Sequence, residues 1–320
     1  MERPAPAYSG DAPREVSDAE LTLLSRYTGQ TDLPALREHV LAQWRRAVSG
    51  AAPVYCCVRT LMFLEPRISG HPTYQHALQL MQECRQSGMA PLWLDIGAAL
   101  GTDVRQLRVD GLREHEVVAL DIPESQHYWQ VGLDMYQDAT NPPCQAFFGN
   151  ICDDAALPAK PPTTQQTEQA QKAQQAQRWG SIAQLAGQVQ VASCSAVLHC
   201  LGKETVEQLL RKASLLLRPG GLLLGSTLGA ATPREWEAAY QAGYTRWLHS
   251  ADSLAALLRE LGYEQVEVVP TRWRDMDRNM QAVRHVVDSH VGPQAGLEDR
   301  SMLAFTARKP AAPQGSAAAQ

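Results

Sequence analysis

The stretch LWLDIGAALGTD, residues 92–103, decides how the rest of the chain is interpreted. An apolar run contains the acid Asp95, a short loop rich in glycine and alanine follows, and the next residues are typical of the start of a helix. A strand that leads through a small-residue loop into a helix brings backbone amides close to a bound ligand. The sequence therefore predicts a ligand-binding loop of the nucleotide-binding type.

The spacing of the small residues argues against two common loops of this type. A dinucleotide fingerprint requires glycine at the first, third and sixth positions, and counting from Gly97 these positions hold Gly97, Ala99 and Thr102. A phosphate-binding P-loop requires a glycine and a lysine followed by serine or threonine, and this sequence does not follow. Instead, small residues and an acid alternate as Asp95, Gly97, Ala99 and Gly101.

Downstream of residue 91, short apolar segments alternate with helical ones. This alternation predicts βαβ units and a parallel sheet, and nearly continuous apolar strands indicate a sheet covered on both faces. The last segment follows its predecessor without a clear helix, so we expect it to run antiparallel. The predicted fold class is α/β, a Rossmann-like doubly wound, seven-stranded, mostly parallel sheet with an N-terminal helical cap. The predicted strands lie within residues 92–96, 116–122, 144–150, 189–195, 221–227, 263–270 and 301–308.

Composition divides the chain into regions. Residues 1–90 are predicted to form a proline-rich tail and then the helical cap, with a strand-like segment near VYCCVRTLMFL, residues 54–64. Residues 91–310 are predicted to form the main domain, and residues 311–320 a disordered tail. Within the main domain, residues 156–181 are rich in Gln, Ala and Pro and lack an apolar stripe. They are predicted to form a low-complexity surface insertion.

Charge and cysteine content narrow the function classes. The chain has 320 residues and a net charge of −5, which does not favour nucleic acid or an anionic membrane as a partner. No apolar run reaches the roughly 18 residues of a membrane span, and the N-terminus lacks the apolar core of a signal peptide. The seven cysteines include no CxxC pair, which favours a reduced, cytoplasmic protein and no metal site.

The loop resembles the D-x-G-x-G-x-G loop of class I S-adenosylmethionine-dependent methyltransferases. In their order, the motifs are similar to the small methyltransferases of fungal secondary-metabolite clusters, the type associated with meroterpenoids and polyketides. The resemblance implies a class I methyltransferase fold for residues 91–310, S-adenosylmethionine as the cofactor and a small-molecule methyl acceptor. These motifs are HPTYQHAL (71–78), LDIGAALGTDVRQLRVDG (94–111), ALDIPESQHYWQVGLDMYQD (119–138), SAVLHCL (195–201) and LLLRPGGLLLGSTLG (215–229).

Several residues follow as candidates for holding this cofactor. Small loop residues let the backbone approach its ribose and methionine parts, and Asp95 suits the cationic amino end. Asp121 ends the next strand, where a carboxylate can accept hydrogen bonds from ribose hydroxyls. In the family pattern the middle loop residue is glycine and the residue near adenine is an acid, whereas this chain has Ala99 and Asn150. The predicted cofactor residues are Asp95, Gly97, Ala99, Gly101, Asp121, Ile122, Asn150 and Ile151.

The chemistry itself needs few residues. Methyl transfer requires alignment of acceptor and methyl group, and a phenol or alcohol acceptor also requires a base, whereas a carboxylate does not. His199 follows the fourth predicted strand and is the catalytic candidate, to orient an acceptor or take its proton, or else a histidine bonded to backbone. His249 follows the fifth predicted strand, in a region that commonly borders the acceptor pocket of such methyltransferases, and we interpret it as a capping or solvent-exposed residue in preference to an acceptor contact. The cap residues Tyr55, Arg59 and Phe63 either cover the acceptor or belong to the core, and His127 and Tyr128 lie nearer the ribose end.

The preferred hypothesis is an S-adenosylmethionine-dependent methyltransferase that acts on oxygen of a small-molecule metabolite. A nicotinamide-dependent oxidoreductase on a Rossmann domain is an alternative, although the fingerprint fails and no Tyr-x-x-x-Lys sequence occurs. A non-catalytic methyltransferase-fold protein that binds a partner is a second alternative, which Ala99 and Asn150 leave open. The identity of the acceptor and the oligomeric state do not follow from the sequence.

Overall fold

The computed structural model describes residues 15–49, 55–153, 157, 179–237, 245–271 and 300–311. Most of the predicted insertion, residues 158–178, and all but the first residue of the predicted tail, residues 311–320, lie outside the described residues. Among the helices within the described ranges, none is both long and apolar enough to cross a membrane.

The first three helices belong to the cap: α1 (Asp18–Thr28), α2 (Leu33–Ser49) and α3 (Cys56–Arg59). Helix α2 begins after Asp32, whose Oδ1 accepts a hydrogen bond from the backbone amide of Ala35 at 3.1 Å. The strand-like prediction for residues 54–64 is wrong for the described part, which forms α3 and a 3₁₀ turn, Met62–Leu64. Because Leu61 to Leu64 are all buried, this apolar run lacks the two-residue alternation of a half-buried strand.

Helices and strands then alternate through the sheet. The elements are α4 (Tyr74–Gln86), β1 (Trp93–Ile96), α5 (Thr102–Val109), β2 (Val117–Asp121), α6 (Gln126–Met135), β3 (Gln145–Phe148), β4 (Val189–Ser195), α7 (Lys203–Leu216), β5 (Leu217–Ala230), β6 (Arg234–Glu237), β7 (Thr245–Leu248), α8 (Ala251–Glu260), β8 (Glu264–Thr271) and β9 (Arg300–Arg308).

The main sheet has seven strands in the order β3-β2-β1-β4-β5-β9-β8. Strands β1 to β5 pair in parallel, and β9 runs antiparallel to both of its neighbours. The predicted fold class, the seven strands and the antiparallel last strand are therefore confirmed. The strand order reverses between β1 and β4, so the loops that follow these strands meet at the carboxyl edge where ligands bind in such sheets.

Both faces of the sheet are covered. Leu94, Leu120 and Cys194 belong to a core shared with α7 and α8, whereas Trp93 and Val117 belong to a core shared with α4 and α5. A third cluster joins the N-terminal helices to α6 and includes Leu100 of the loop after β1. The cap is therefore packed against the ligand-binding loop.

A small second sheet was not predicted. Strand β6 pairs antiparallel with β7 in the connection between β5 and α8. Its sequences, REWE and TRWL, are short and carry charges, so they lack the apolar run by which the other strands were predicted.

Candidate cofactor and acceptor site

The loop after β1 is tied to the end of β2 by direct hydrogen bonds. The backbone amide of Ala99 donates to Asp121 Oδ2 at 2.7 Å, and that of Gly97 donates to the Leu120 carbonyl at 2.7 Å. The other carboxylate oxygen of Asp121 accepts a hydrogen bond from the Ile122 amide at 2.8 Å. The structure thus brings together the loop and the acid that the sequence singled out on successive strands.

The alternation of small residues in this loop matches its backbone conformation. Gly97, Ala99 and Gly101 have positive φ angles of 80°, 47° and 74°. A Cβ atom at Gly97 would lie 2.2 Å from Cγ2 of Val197, and one at Gly101 would lie 2.8 Å from the Trp129 ring. The two glycines are therefore required by the packing of the protein against the loop, and Ala99 is the one non-glycine residue among these three left-handed positions.

Buried acids surround the loop. Asp95 is 3% exposed, and its Oδ1 accepts a hydrogen bond from the Ser193 hydroxyl at 2.8 Å. Asp103, in the first turn of α5, accepts a hydrogen bond from the backbone amide of Arg67 at 2.7 Å. Burial raises the pKa of Asp95, Asp103 and Asp121, and the charge of Asp103 raises the pKa of Asp95 further, whereas Arg67 opposes this shift.

This arrangement of acids favours a ligand that carries positive charge. Three carboxyl groups near one guanidinium give the region an excess of negative charge when they ionise. A ligand that brings a positive charge relieves the repulsion, whereas the pyrophosphate of a dinucleotide increases it. Asp103 and Arg67 were missed at the level of the sequence, although an acid in the first turn of the helix after the loop is a visible signal.

The end of β3 lies beside the same acid. The backbone amide of Gly149 donates to the Asp121 carbonyl at 2.8 Å, which holds the following residues next to β2. Asn150 is exposed, and its side-chain oxygen accepts a hydrogen bond from the Cys152 amide at 3.0 Å. Ile151 is 6% exposed and packs in the core on the α7 side. Of these two candidates, only Asn150 is therefore exposed at the edge.

His199 lies in a 3₁₀ turn, Leu198–Cys200, directly after β4. The Leu228 amide donates to its Nδ1 at 3.3 Å, and the His199 amide donates to Thr227 Oγ1 at 3.1 Å. An Nδ1 that accepts a hydrogen bond places the proton of a neutral ring on Nε2, a tautomer assigned here from the hydrogen bonds. His199 is thus anchored to backbone at the carboxyl ends of β4 and β5.

Tyr55 of the cap, Tyr128 of α6 and Cys200 of the His199 turn lie near enough to Asp121 to interact with its charge. The rings of Tyr55 and Tyr128 are 6.0 Å apart, and burial together with nearby acidic groups, Asp121 among them, raises the pKa of both hydroxyls. Burial raises the pKa of the Cys56 thiol to about 12 and that of Cys200 to about 11. These cysteines stay protonated at neutral pH and do not act as nucleophiles.

The remaining candidates from the sequence are mostly buried. Arg59 and Phe63 are both buried, and Phe63 belongs to the cluster that joins the N-terminal helices to α6. Nε2 of His127 lies 3.1 Å from the carbonyl oxygen of Arg46. The solvent-exposed alternative for His249 is wrong, since the residue is only 5% exposed. Its Nδ1 lies 3.0 Å from Oγ of Ser253 in α8.

A buried arginine that was not predicted donates hydrogen bonds to carbonyl groups of the loop. Arg105 is 0% exposed and makes a two-bond ion pair with Asp138, at 2.9 and 2.8 Å. Its Nη1 donates to the carbonyls of Leu100 and Gly101, and its guanidinium lies 4.3 Å from the Tyr136 ring centre. Arg105 therefore fixes the loop carbonyls, although its sequence context does not distinguish it from a surface arginine.

Comparison with known proteins identifies the family. Residues 65–268 match the family model described as a methyltransferase domain, which is more than half of the chain. The chain belongs to the methyltransferase domain family. The prediction of a methyltransferase is thereby confirmed at the level of the family. Within the described residues, no group of three or more His, Cys, Asp or Glu side chains is placed to hold a metal ion.

Similar proteins include two fungal enzymes and one solved structure. Methyltransferase adrK of Penicillium rubens is 25% identical over 68% of this chain and 65% of its own length. O-methyltransferase atr3 of Stereocaulon alpinum is 21% identical over 82% of this chain and 66% of its own length. The chain thus spans just under two thirds of each relative. The Burkholderia thailandensis 1,6-didemethyltoxoflavin-N1-methyltransferase, solved with S-adenosylhomocysteine, has a TM-score of 0.45 and 15% identity over 94% of this chain and 93% of its own.

Proposed function

We propose that this chain transfers a methyl group from S-adenosylmethionine to an oxygen atom of a small-molecule metabolite. The observation that supports this most strongly is the 2.7 Å hydrogen bond from the Ala99 amide to Asp121. It joins the left-handed loop after β1 to the acid at the end of β2, at the carboxyl edge of the sheet. Bound there, the cofactor supplies an electrophilic methyl group on a sulfonium.

The proposed cofactor site divides into three parts. Asp95, with Gly97 and Gly101 shaping the loop, faces the cationic methionine end. Asp121 and Ile122 lie at the ribose, and Asn150 lies at the adenine, where its side-chain oxygen has a second lone pair beyond the bond to Cys152. Ile151 supports this edge from the core. Ala99 contributes its amide to Asp121 and its small side chain to the loop.

The two alternative functions explain the site less well. A nicotinamide dinucleotide would place its pyrophosphate beside buried Asp95 and half-buried Asp121, where the raised pKa of both carboxyls shows that negative charge is disfavoured. A non-catalytic role was left open by Ala99 and Asn150. The loop nevertheless closes on Asp121 with alanine at this position, so the departure does not remove the binding geometry.

The acceptor is proposed to bind at the carboxyl ends of β4 and β5, beside His199. Since Nδ1 of His199 accepts a hydrogen bond from the Leu228 amide, Nε2 carries the proton and donates to the acceptor oxygen, which it thereby orients. An acceptor that binds already ionised, as a phenolate or a carboxylate, needs no proton acceptor at this position. The name of one relative, an O-methyltransferase, supports oxygen as the methylated atom. The net charge of −5 supports a small molecule rather than nucleic acid or a membrane surface as partner.

Calorimetry on the full chain tests the proposal. We expect S-adenosylmethionine and S-adenosylhomocysteine to bind with micromolar dissociation constants and NAD to give no heat. Incubation with metabolite extracts and methyl-labelled donor, followed by mass spectrometry, should then yield a labelled methyl ether or ester. Binding of NAD without binding of S-adenosylhomocysteine would overturn the proposed function, and a labelled N-methyl product would overturn the choice of oxygen.

A further inference from the structure

Two buried polar atoms belong to neighbouring rings at the end of β7, just before α8. Nε1 of Trp247 and Nε2 of His249 are both buried and have no hydrogen-bond partner among the described residues. The two rings are 6.0 Å apart at an angle of 79°, and His249 is 5% exposed. A buried polar atom without a partner destabilises a protein, so a pair of them on neighbouring rings calls for an explanation.

The hydrogen bonds around His249 determine what its Nε2 offers. Oγ of Ser253 accepts the Ser250 amide at 3.0 Å and lies 3.2 Å from the Ser250 carbonyl. All of these groups are satisfied when the Ser253 hydroxyl donates to that carbonyl and His249 Nδ1–H donates to Ser253. Nε2 then carries a lone pair. Burial, together with the charge of Lys203, lowers the pKa of His249 to about 4, which keeps the ring neutral.

The pair adjoins the proposed acceptor site. The Trp247 amide donates to the Leu201 carbonyl at 2.8 Å, two residues after His199. The His249 carbonyl accepts the amide of Ala230, at the end of β5, at 2.9 Å. The pair is therefore held next to the turn that carries His199.

We propose that Trp247 and His249 form a subsite that binds a neutral hydroxyl group of the methyl acceptor, which rests on the proposed function. A hydroxyl accepts a hydrogen bond from Trp247 Nε1–H and donates one to His249 Nε2. Neither an ether nor an ionised carboxylate carries a proton to donate to His249 Nε2. Analogues without the hydroxyl leave the buried atoms unpaired, so the subsite selects for hydroxylated acceptors and positions them beside His199.

Nuclear magnetic resonance of the ¹⁵N-labelled full chain tests this subsite, with and without saturating S-adenosylhomocysteine. The probes are phenol and cyclohexanol, each compared with its methyl ether at millimolar concentration. The Trp247→Phe variant identifies the indole N–H signal of Trp247 among the seven tryptophans. We expect the alcohols to shift this signal and to bind about tenfold more tightly than the ethers, because one buried hydrogen-bonded pair is worth roughly 1.4 kcal/mol.

Variants separate recognition from folding. His249→Phe and Trp247→Phe should each reduce the preference for the alcohols to twofold or less, while binding S-adenosylhomocysteine as the wild type does. His39→Phe, which changes a half-buried histidine on α2, should retain the preference. If one subsite variant does not fold, the other variant still measures the preference for the alcohols. When Trp247→Phe folds, the indole signal of Trp247 is a further readout. An unmoved Trp247 signal, or a preference retained in both variants, would overturn the subsite. If S-adenosylhomocysteine does not bind while the alcohols still bind more tightly than the ethers, the proposed function is overturned and the subsite is not.

Discussion

Asp121 has two roles in the proposed site, because its carboxylate both anchors the loop and faces the ribose. Asp121→Ala removes the partner of the Ala99 amide and the proposed ribose contact together. We expect the affinity for S-adenosylhomocysteine to fall about ten- to a hundredfold, since charge-assisted hydrogen bonds are worth roughly 1.5–3 kcal/mol. The affinity of Asp121→Asn should fall less, because its amide oxygen still accepts a hydrogen bond. Calorimetry measures both, with Asp134→Asn on the surface of α6 as the control. Equal affinity for wild type and Asp121→Ala would contradict the assignment.

Ala99 occupies a backbone conformation that favours glycine. With φ at 47°, a non-glycine residue costs about 1–2 kcal/mol, whereas glycine costs roughly 0.4–1 kcal/mol through the unfolded chain. Ala99→Gly should therefore raise the unfolding free energy by up to about 1 kcal/mol in a urea titration. Ala98→Gly is the matched control, because Ala98 is not among the residues with positive φ and its methyl group is buried. It should lower stability. If Ala99→Gly destabilises the protein clearly, or if it changes the unfolding free energy no differently from Ala98→Gly, the loop is not strained at Ala99.

At the scale of elements, burial decided what the sequence could predict. The central sheet strands β2, β1, β4 and β5 are buried on both faces, so their apolar runs are nearly continuous and their positions followed from the sequence. Strands β6 and β7 pair only with each other, and charged residues interrupt them. The 54–64 segment is apolar without clear periodicity, and helix and strand cannot be told apart in such a run. The loop and Asp121 were predictable because they end strands, whereas Trp247 and His249 lie on and just after an unpredicted strand.

Helix α5 shows why the support of the loop was missed. Arg105 and Arg108 look alike in sequence, but Arg105 is fully buried against Asp138 and the loop carbonyls. Arg105→Met leaves the Asp138 carboxylate buried without its ion pair and should lower the unfolding free energy by about 3–5 kcal/mol. Arg211→Met breaks an exposed pair with Glu207 on α7 and should cost under about 0.5 kcal/mol. Thermal and urea unfolding of both variants compare the two pairs. Similar losses in the two variants would mean that Arg105 does not support the loop.

At the scale of the whole molecule, strand order explains why residues distant in sequence meet. The reversal between β1 and β4 places the ends of β1, β2 and β4 at one edge, and the cap packs against the loop through Leu100. Asp95, Asp103 and Asp121 are thereby gathered in a region from which water is largely excluded. Burial raises the pKa of each of these acids, so the binding of a cationic ligand and proton release from them are coupled.

This coupling predicts a pH dependence that the Asp95→Asn variant should remove. A carboxyl with a raised folded-state pKa stabilises the protein fully below about pH 4 and loses this contribution as the pH rises through its folded-state pKa. Asp95→Asn cannot ionise and its oxygen still accepts from Ser193, so its stability relative to wild type should increase with pH. A cationic amino group favours ionised Asp95, so wild type should release protons on binding S-adenosylhomocysteine and bind it more tightly as the pH rises from about 5. Calorimetry in buffers of different ionisation enthalpy measures this release. Equal proton release by wild type and Asp95→Asn would show that the cationic end of the cofactor does not lie at Asp95.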